Sequence, residues 1–402
     1  MGACPQSALG GQQNAERKPF LAPLLPAEEA WRVALPSPPS APGTLDESRA
    51  YIPLQTGQIV ALNRETGDDE WSIAVASSWA PIVSDGVLYA AGPLELQAVR
   101  AASGEVVWRA SLDAELIAAP ALQADIIFLL TKPDQLRALR TSDGSEIWQR
   151  AIGPSSGAPT LTADAKGLIV SGGSRLRRFA VSDGHLEWER ELTGILGRAT
   201  LSGDRVFVGS TDNNLYALES ATGRLAYRSR AGGDVVGAAA DDQFVYVASL
   251  DNMLRALRRG SGNQVWKSNL ATRTLAPPST FGGIVLVTGN NPTLTTFNAL
   301  TGALIANVSL SADLQGIPLI DPILEPFRVA FIVVTRDARA IGLRPTGMMF
   351  RELPLTPLPT LPGRPLNREP LSIPKPQPPT PNSQGPHSHG PDSERSPNER
   401  LR

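Results

Sequence analysis

One eleven-residue string recurs seven times along this chain and limits the folds open to it. The copies run Ala61 to Trp71, Ala98 to Trp108, Ala138 to Trp148, Arg178 to Trp188, Ala217 to Tyr227, Ala256 to Trp266 and Thr296 to Ala306. The seventh place of every copy is glycine: Gly67, Gly104, Gly144, Gly184, Gly223, Gly262 and Gly302, at steps of 37, 40, 40, 39, 39 and 40 residues. A period of that length held over a whole chain means one supersecondary unit repeated, each copy burying its apolar faces against its neighbours.

Within each step lies a β-branched or aromatic run, such as Val206-Phe207-Val208, Phe244-Val245-Tyr246-Val247 or Ile284-Val285-Leu286-Val287. Such a run predicts a strand buried on both faces. The runs end in Pro133-Asp134, Asp212-Asn213-Asn214, Asp251-Asn252 and Asn290-Asn291, residue types that tolerate left-handed backbone angles in tight turns. Each unit therefore reads as three strands, a turn at the glycine, and a fourth strand opening with the tryptophan. Four strands at this period predict an all-β fold, a β-propeller of four-stranded antiparallel blades. The innermost strands meet at a crowded axis, which suits the small residues and proline of Ala119-Pro120-Ala121, Ala158-Pro159-Thr160, Gly237-Ala238-Ala239-Ala240 and Ile317-Pro318-Leu319.

Outer strands open at Trp31, Trp71, Trp108, Trp148, Trp188, Tyr227, Trp266 and Ala306, which makes eight blades. Trp31 has no inner strands before it, whereas the chain after Ala306 has material for three more. The two ends are therefore expected to complete one blade, the strand Trp31 to Leu35 pairing with Val329 to Val334 and Ala338 to Leu343 and removing the free edge. Seven blades is the competing count: Pro36, Pro38, Pro39 and Pro42 disfavour pairing in the first unit, Gly347 falls one place late, and Phe350 could close the ring in place of Trp31. The propeller is expected over 27–350, between a flexible linker at 1–26 and a Pro-rich disordered tail at 351–402 that is too polar to bury a core.

Six of the seven tryptophans keep the register, and Trp79 alone departs from it. Residues placed once per blade point around a circle and do not converge as a ligand cage must. Trp31, Trp71, Trp108, Trp148, Trp188, Tyr227 and Trp266 are therefore expected to dock structurally, each against the Ala opening its own string and the glycine turn of the next blade. The string resembles the tryptophan-docking motif of the pyrroloquinoline-quinone-type propeller repeats, from residue 31 to 350. Two branches of that superfamily bear on function. The quinoprotein dehydrogenases imply a quinone and calcium above the ring; the propeller lipoprotein of the outer-membrane β-barrel assembly machinery, similar in size to this chain, implies a non-enzymatic scaffold.

The dehydrogenase branch is known for adjacent cysteines, an acidic base and long insertions, whereas this chain has the single Cys4 and evenly spaced repeats. The acidic clusters Asp68-Asp69-Glu70 and Asp241-Asp242 could offer calcium ligands but fall at predicted turns, where solvated acids are common. The three histidines, His185, His387 and His389, cannot readily assemble a zinc or hydrolytic site. Ser171-Gly172-Gly173-Ser174 lacks the helix and lysine of a phosphate loop. No catalytic, cofactor-binding or metal-binding residue is assigned, and the chain is read as not an enzyme. A net charge of -2 with scattered basic residues gives no nucleic-acid footprint, and no apolar run is long enough for a membrane-spanning helix.

Two classes of function follow. The first is a protein-binding scaffold of the bacterial cell envelope, monomeric, docking partners at face loops or outer edges, although Arg109, Arg190, Arg228 and Lys267 guard those edges against indiscriminate pairing. The second is a quinone-dependent or small-molecule-sensing propeller using the channel mouth. Met1-Gly2-Ala3-Cys4 resembles the processing site of a bacterial lipoprotein and makes Cys4 a candidate lipidation site. The apolar segment that should precede it is not in the sequence. Either the true start lies upstream, with the protein in the periplasm or on the periplasmic face of the outer membrane, or Cys4 is an incidental thiol and the protein is cytoplasmic.

Overall fold

The computed structural model describes residues 27–346 apart from positions 156, 275, 290, 291, 311, 312, 315, 317 and 321–327. The readings placed on 1–26 with Cys4, on Asn290-Asn291 and Ile317, on Gly347 and Phe350, and on the tail with His387 and His389 lie outside the described residues.

Eight four-stranded antiparallel sheets form a ring, an eight-bladed propeller. Blade 3 shows the common plan. Ala121–Gln123 is innermost, Ile126–Thr131 second, Gln135–Arg140 third and Glu146–Ala151 outermost. The outer strand begins two residues before Trp148, so the tryptophan lies inside the strand and does not open it. A bulge beside Trp148 accommodates the extra residue, and Ala138 faces the indole across the pair. Asp134, Asn213 and Asn252 have φ of +61°, +69° and +59° in the hairpins joining second and third strands, the left-handed turns for which Asn and Asp are suited.

The core lies between blades. Each of the eight buried apolar clusters is built by two consecutive blades. Phe128, Leu136 and Trp148 of blade 3, for example, pack with Leu161, Leu168 and Val170 of blade 4. Because both faces of a blade are covered, its second strand is a continuous apolar run, as in the fully buried Phe244–Ser249.

Ring closure is a clasp. The N-terminal strand Ala27–Ala34 is the outer strand of blade 8, beside Arg339–Pro345, Phe331–Thr335 and Leu319–Ile320. It starts four residues earlier than the sequence suggested and ends before Leu35, whose N–H still bonds Ala338 O. Trp31 stands opposite Gly342 and packs with Ala50, Ile52 and Leu54 of blade 1. Trp31 therefore fills the closing position, and the count is eight. The prolines leave their mark on blade 1, whose inner strand is only Thr44–Leu45 with an isolated bridge from Pro39 to Leu54.

Candidate docking face and channel mouth

Antiparallel blades give a propeller two unlike faces. One carries the glycine turns and the hairpins between first and second strands. The other carries the hairpins between second and third strands and the connections from one blade's outer strand to the next blade's inner strand.

The glycine face is fixed by docking geometry. Gly184 has φ +70°, and a Cβ there would lie 2.6 Å from Trp148 of the preceding blade. Gly67, Gly104, Gly144, Gly223, Gly262 and Gly302 meet Trp31, Trp71, Trp108, Trp188, Tyr227 and Trp266 in the same way. Each ring also makes a polar contact that the repeat alone does not reveal: Trp31, Trp108, Trp148, Trp188 and Trp266 donate Nε1–H to carbonyls of Arg64, Thr141, Val181, Ser220 and Ala299 at 2.8–2.9 Å. Trp71 reaches Ala101 O at 3.2 Å, and Tyr227 donates its hydroxyl to Arg259 O at 3.0 Å. A buried indole N–H needs an acceptor, and one residue type at one register implied one recurring acceptor. Burial raises the Tyr227 hydroxyl to about 12, so it stays a donor at neutral pH.

Blade 7 has Ala306 where the others have an aromatic. The outer strand of blade 8 comes from the N-terminal end, so no glycine turn joins it to that blade's third strand, and among the described residues no such turn faces Ala306. Blade 4 is the other exception. Arg178 opens its string, Ile169 replaces the aromatic of the second strand, and the guanidinium takes the space, donating to Ser220 O at 2.8 Å beside the Trp188 N–H.

Loops on the opposite face are pinned from below. In three blades the residue just before the string opening is an arginine that reaches them: Arg177, 1% exposed, donates to the carbonyls of Ile152, Gly153 and Pro154, and Arg137 pairs with Asp113 and Glu146. Arg255 pairs with Asp251. Burial alone would raise Asp251, but hydrogen bonds from Arg255, Ser249 and the Gly232 N–H hold its carboxyl down at about 2. These three arginines share one offset, a single place before the string opening, but only the fold shows which way they point. On the same face, Leu94 in the second-to-third-strand hairpin of blade 2 and Ile195 on the connection from blade 4 to blade 5 stand 51% and 59% exposed.

The other candidates disperse. His185 is exposed at its turn beside Asp183, and Ser171 to Ser174 is the hairpin between Gly167–Gly172 and Arg175–Phe179. Asp241 caps a turn by accepting the N–H groups of Gln243 and Phe244, while Glu70 pairs with Arg49. Arg109, Arg190, Arg228 and Lys267 are exposed on outer strands, with Arg190 also reaching Gly223 O of the next blade. Trp79 packs beside the cluster between blades 2 and 3. Among the described residues no cluster of three His, Cys, Asp or Glu is placed to hold a metal, and no helix is long and apolar enough to cross a membrane.

The family model described as outer membrane protein assembly factor BamB matches residues 26–93, 94–194, 188–267 and 250–346, the whole ring. The chain belongs to the BamB family. Among solved structures, BamB from Moraxella catarrhalis aligns with a TM-score of 0.62 at 16% identity over 79% of this chain and 99% of its own. The computationally designed Ika8 protein aligns at 0.66 with 12% identity over 79% and 99%. A quinohemoprotein alcohol dehydrogenase from Pseudomonas putida aligns at 0.61 with 12% identity over 80% and 77%. At such identities these likenesses establish the propeller alone; membership of the BamB family rests on the match along the ring. No curated protein matches.

Proposed function

We propose that this chain is a non-enzymatic protein-docking scaffold of the bacterial cell envelope, acting in outer-membrane protein assembly from the periplasmic face of the outer membrane. The observation that carries this reading is the ring-long match to the BamB assembly-factor family. The loop face supports it: Leu94 and Ile195 are large and exposed there, and the connection bearing Ile195 is held by hydrogen bonds from Ile195 N–H to Thr211 Oγ1 and from Leu196 N–H to Gly173 O, a preorganised surface that loses little entropy on binding. The glycine face is less suited, since its turns are committed to the tryptophans. In this reading Cys4 carries the lipid anchor and residues 5–26 form the tether.

A photo-crosslinking side chain at Ile195, with one at His185 on the opposite face as control, tests the proposal in cells. Crosslinks from position 195 to a component of the outer-membrane assembly machinery, absent from 185, are expected. Equal labelling from both positions, or recovery of the native protein in the cytoplasmic fraction, overturns it. Metabolic labelling with an alkyne fatty acid, lost in Cys4→Ser, tests the anchor separately.

A further inference from the structure

The mouth of the central channel on the loop face holds a group without a counterpart at the equivalent described positions of the other blades. Cross-strand registers place the blades on a common frame: Tyr227 faces Ala217, Ala217 faces Phe207, and Phe207 faces Thr200 on the innermost strand of blade 5. The residue two places before Thr200 is Arg198. The same walk inward in other blades ends at Pro42, Ala80, Ala119, Gly237 and Pro277. In blade 4 it ends at Thr160, two places before Thr162. The equivalence is independently visible, because Thr162 and Thr200 each donate Oγ1–H to the corresponding carbonyl of the next blade, Ala199 O and Ala238 O, at 3.0 and 2.7 Å.

This tier is narrow and otherwise short of side chains. A Cβ at Gly237 would lie 2.7 Å from Pro277 of the next blade, and one at Gly316 would lie 3.0 Å from Pro42. Arg198 is accessible to water, yet burial is the one influence acting on its guanidinium, which lowers its pKa. The register places this exposed side chain at the inner, axial end of its blade on the loop face, and the surrounding protein accounts for the desolvation. No hydrogen-bond or ion-pair partner for Arg198 occurs among the described residues. In the adjacent blade, Thr160 Oγ1 is buried and has no hydrogen-bond partner either. A guanidinium stays charged at any physiological pH and offers five donors. Two neighbouring positions of one tier therefore hold donors with no protein acceptor, of which the buried Thr160 hydroxyl carries the cost of an unmade hydrogen bond.

We propose that Arg198, assisted by Thr160, forms an oxyanion-binding site at the channel mouth that takes the carboxylate or phosphate group of a small molecule. The planar fork of the guanidinium engages two oxygens of such a group, and the small residues opposite leave room for its body. Arg198 lies on the same connection as Ile195, and the proposal stands whether or not that surface binds a protein.

The test is calorimetric titration of the full chain with inorganic phosphate and, separately, with succinate. Melting curves follow with and without each probe for wild type, Arg198→Met, Arg198→Lys, Thr160→Val and the rim control Arg109→Met. Saturable binding of at least one probe is expected in wild type and Arg109→Met. It should weaken about tenfold or more in Arg198→Met, as loss of a charge-assisted bond implies, less in Arg198→Lys, and severalfold in Thr160→Val. Phosphate binding alone assigns the site to phosphate esters, and succinate binding alone to carboxylates. Without probe, Arg198→Met should melt at or above wild type, since it removes a desolvated charge, and only chains retaining Arg198 should gain melting temperature with the probe. No saturable binding of either probe overturns the proposal, as does equal weakening in Arg109→Met. A lower melting temperature of probe-free Arg198→Met makes the arginine structural and also overturns it.

Discussion

Removing the indole of Trp148 isolates what the repeat contributes to the ring. The side chain is 8% exposed, lies with its ring centroid 5.9 Å from Phe128, meets Gly184 of the next blade and donates to Val181 O at 2.9 Å. Truncation of a buried aromatic to alanine costs about 3–5 kcal/mol, and the lost hydrogen bond about 1 kcal/mol of that or slightly more. Trp148→Phe should keep most of the packing and lose roughly 1–2 kcal/mol. Gly184→Ala separates contact from backbone. Its φ of +70° carries an alanine penalty of about 1–2 kcal/mol in any background, whereas the clash with the indole exists only while Trp148 is present. In urea melts the cost of Gly184→Ala should therefore fall by at least about 1 kcal/mol when Trp148→Ala is already in place. Trp148→Ala melting like wild type, or strict additivity with Gly184→Ala, would refute interblade docking as the source of stability.

Three further outcomes are expected. Asp251, held at about 2 against an ordinary 3.8, contributes stability that is fully present above pH 4 and lost as pH falls toward 2; Asp251→Asn should cost about 2 kcal/mol near neutrality and flatten acid denaturation in that window, and an unchanged acid limb counts against the ion pair. Deleting residues 1–34 removes the outer strand of blade 8 and bares the edge of Arg339–Pro345, so light scattering should show concentration-dependent association that a peptide of residues 27–34 suppresses; a monomeric, stable deletion would show the clasp to be dispensable. Arg177→Met leaves the carbonyls of Ile152, Gly153 and Pro154 without their donor, so limited proteolysis should cut between 152 and 159 before any other blade connection, and unchanged cleavage kinetics would show that the loop holds itself.

The blades were legible because one contact, an aromatic from one unit against a glycine of the next, must be met at every interface and so prints itself at a constant spacing. Trp31 was legible as a clasp for the same reason, and the gap at Ala306 is its complement, the position whose glycine turn the clasp does not build. Less legible were groups whose role depends on direction. Arg137, Arg177 and Arg255 look like ordinary strand arginines until the fold turns them under the loops, and Arg178 looks anomalous until Ile169 opens the space it fills. Arg198 was invisible because its meaning lies in its blade-to-blade equivalents, Ala80, Ala119, Gly237 and Pro277, which a string aligned on outer tryptophans does not bring into register. The loop face stayed unread because its connections are free of the docking constraint that writes the repeat.

The pairing of Ala27 with Pro345 also sets how the ring bears load. A pull applied at Ala27 enters the ring through the strand pair of blade 8. Drawn along the strand, that pull shears all of its ladder bonds at once; drawn away from the rim, it peels them in order from Ala27 inward. The peel meets Trp31 after a few residues, where the indole is wedged against Gly67 and Gly342 and tied to Arg64 O. The tryptophan that completes the circle is thus also the catch at which unzipping from the N-terminal side stalls.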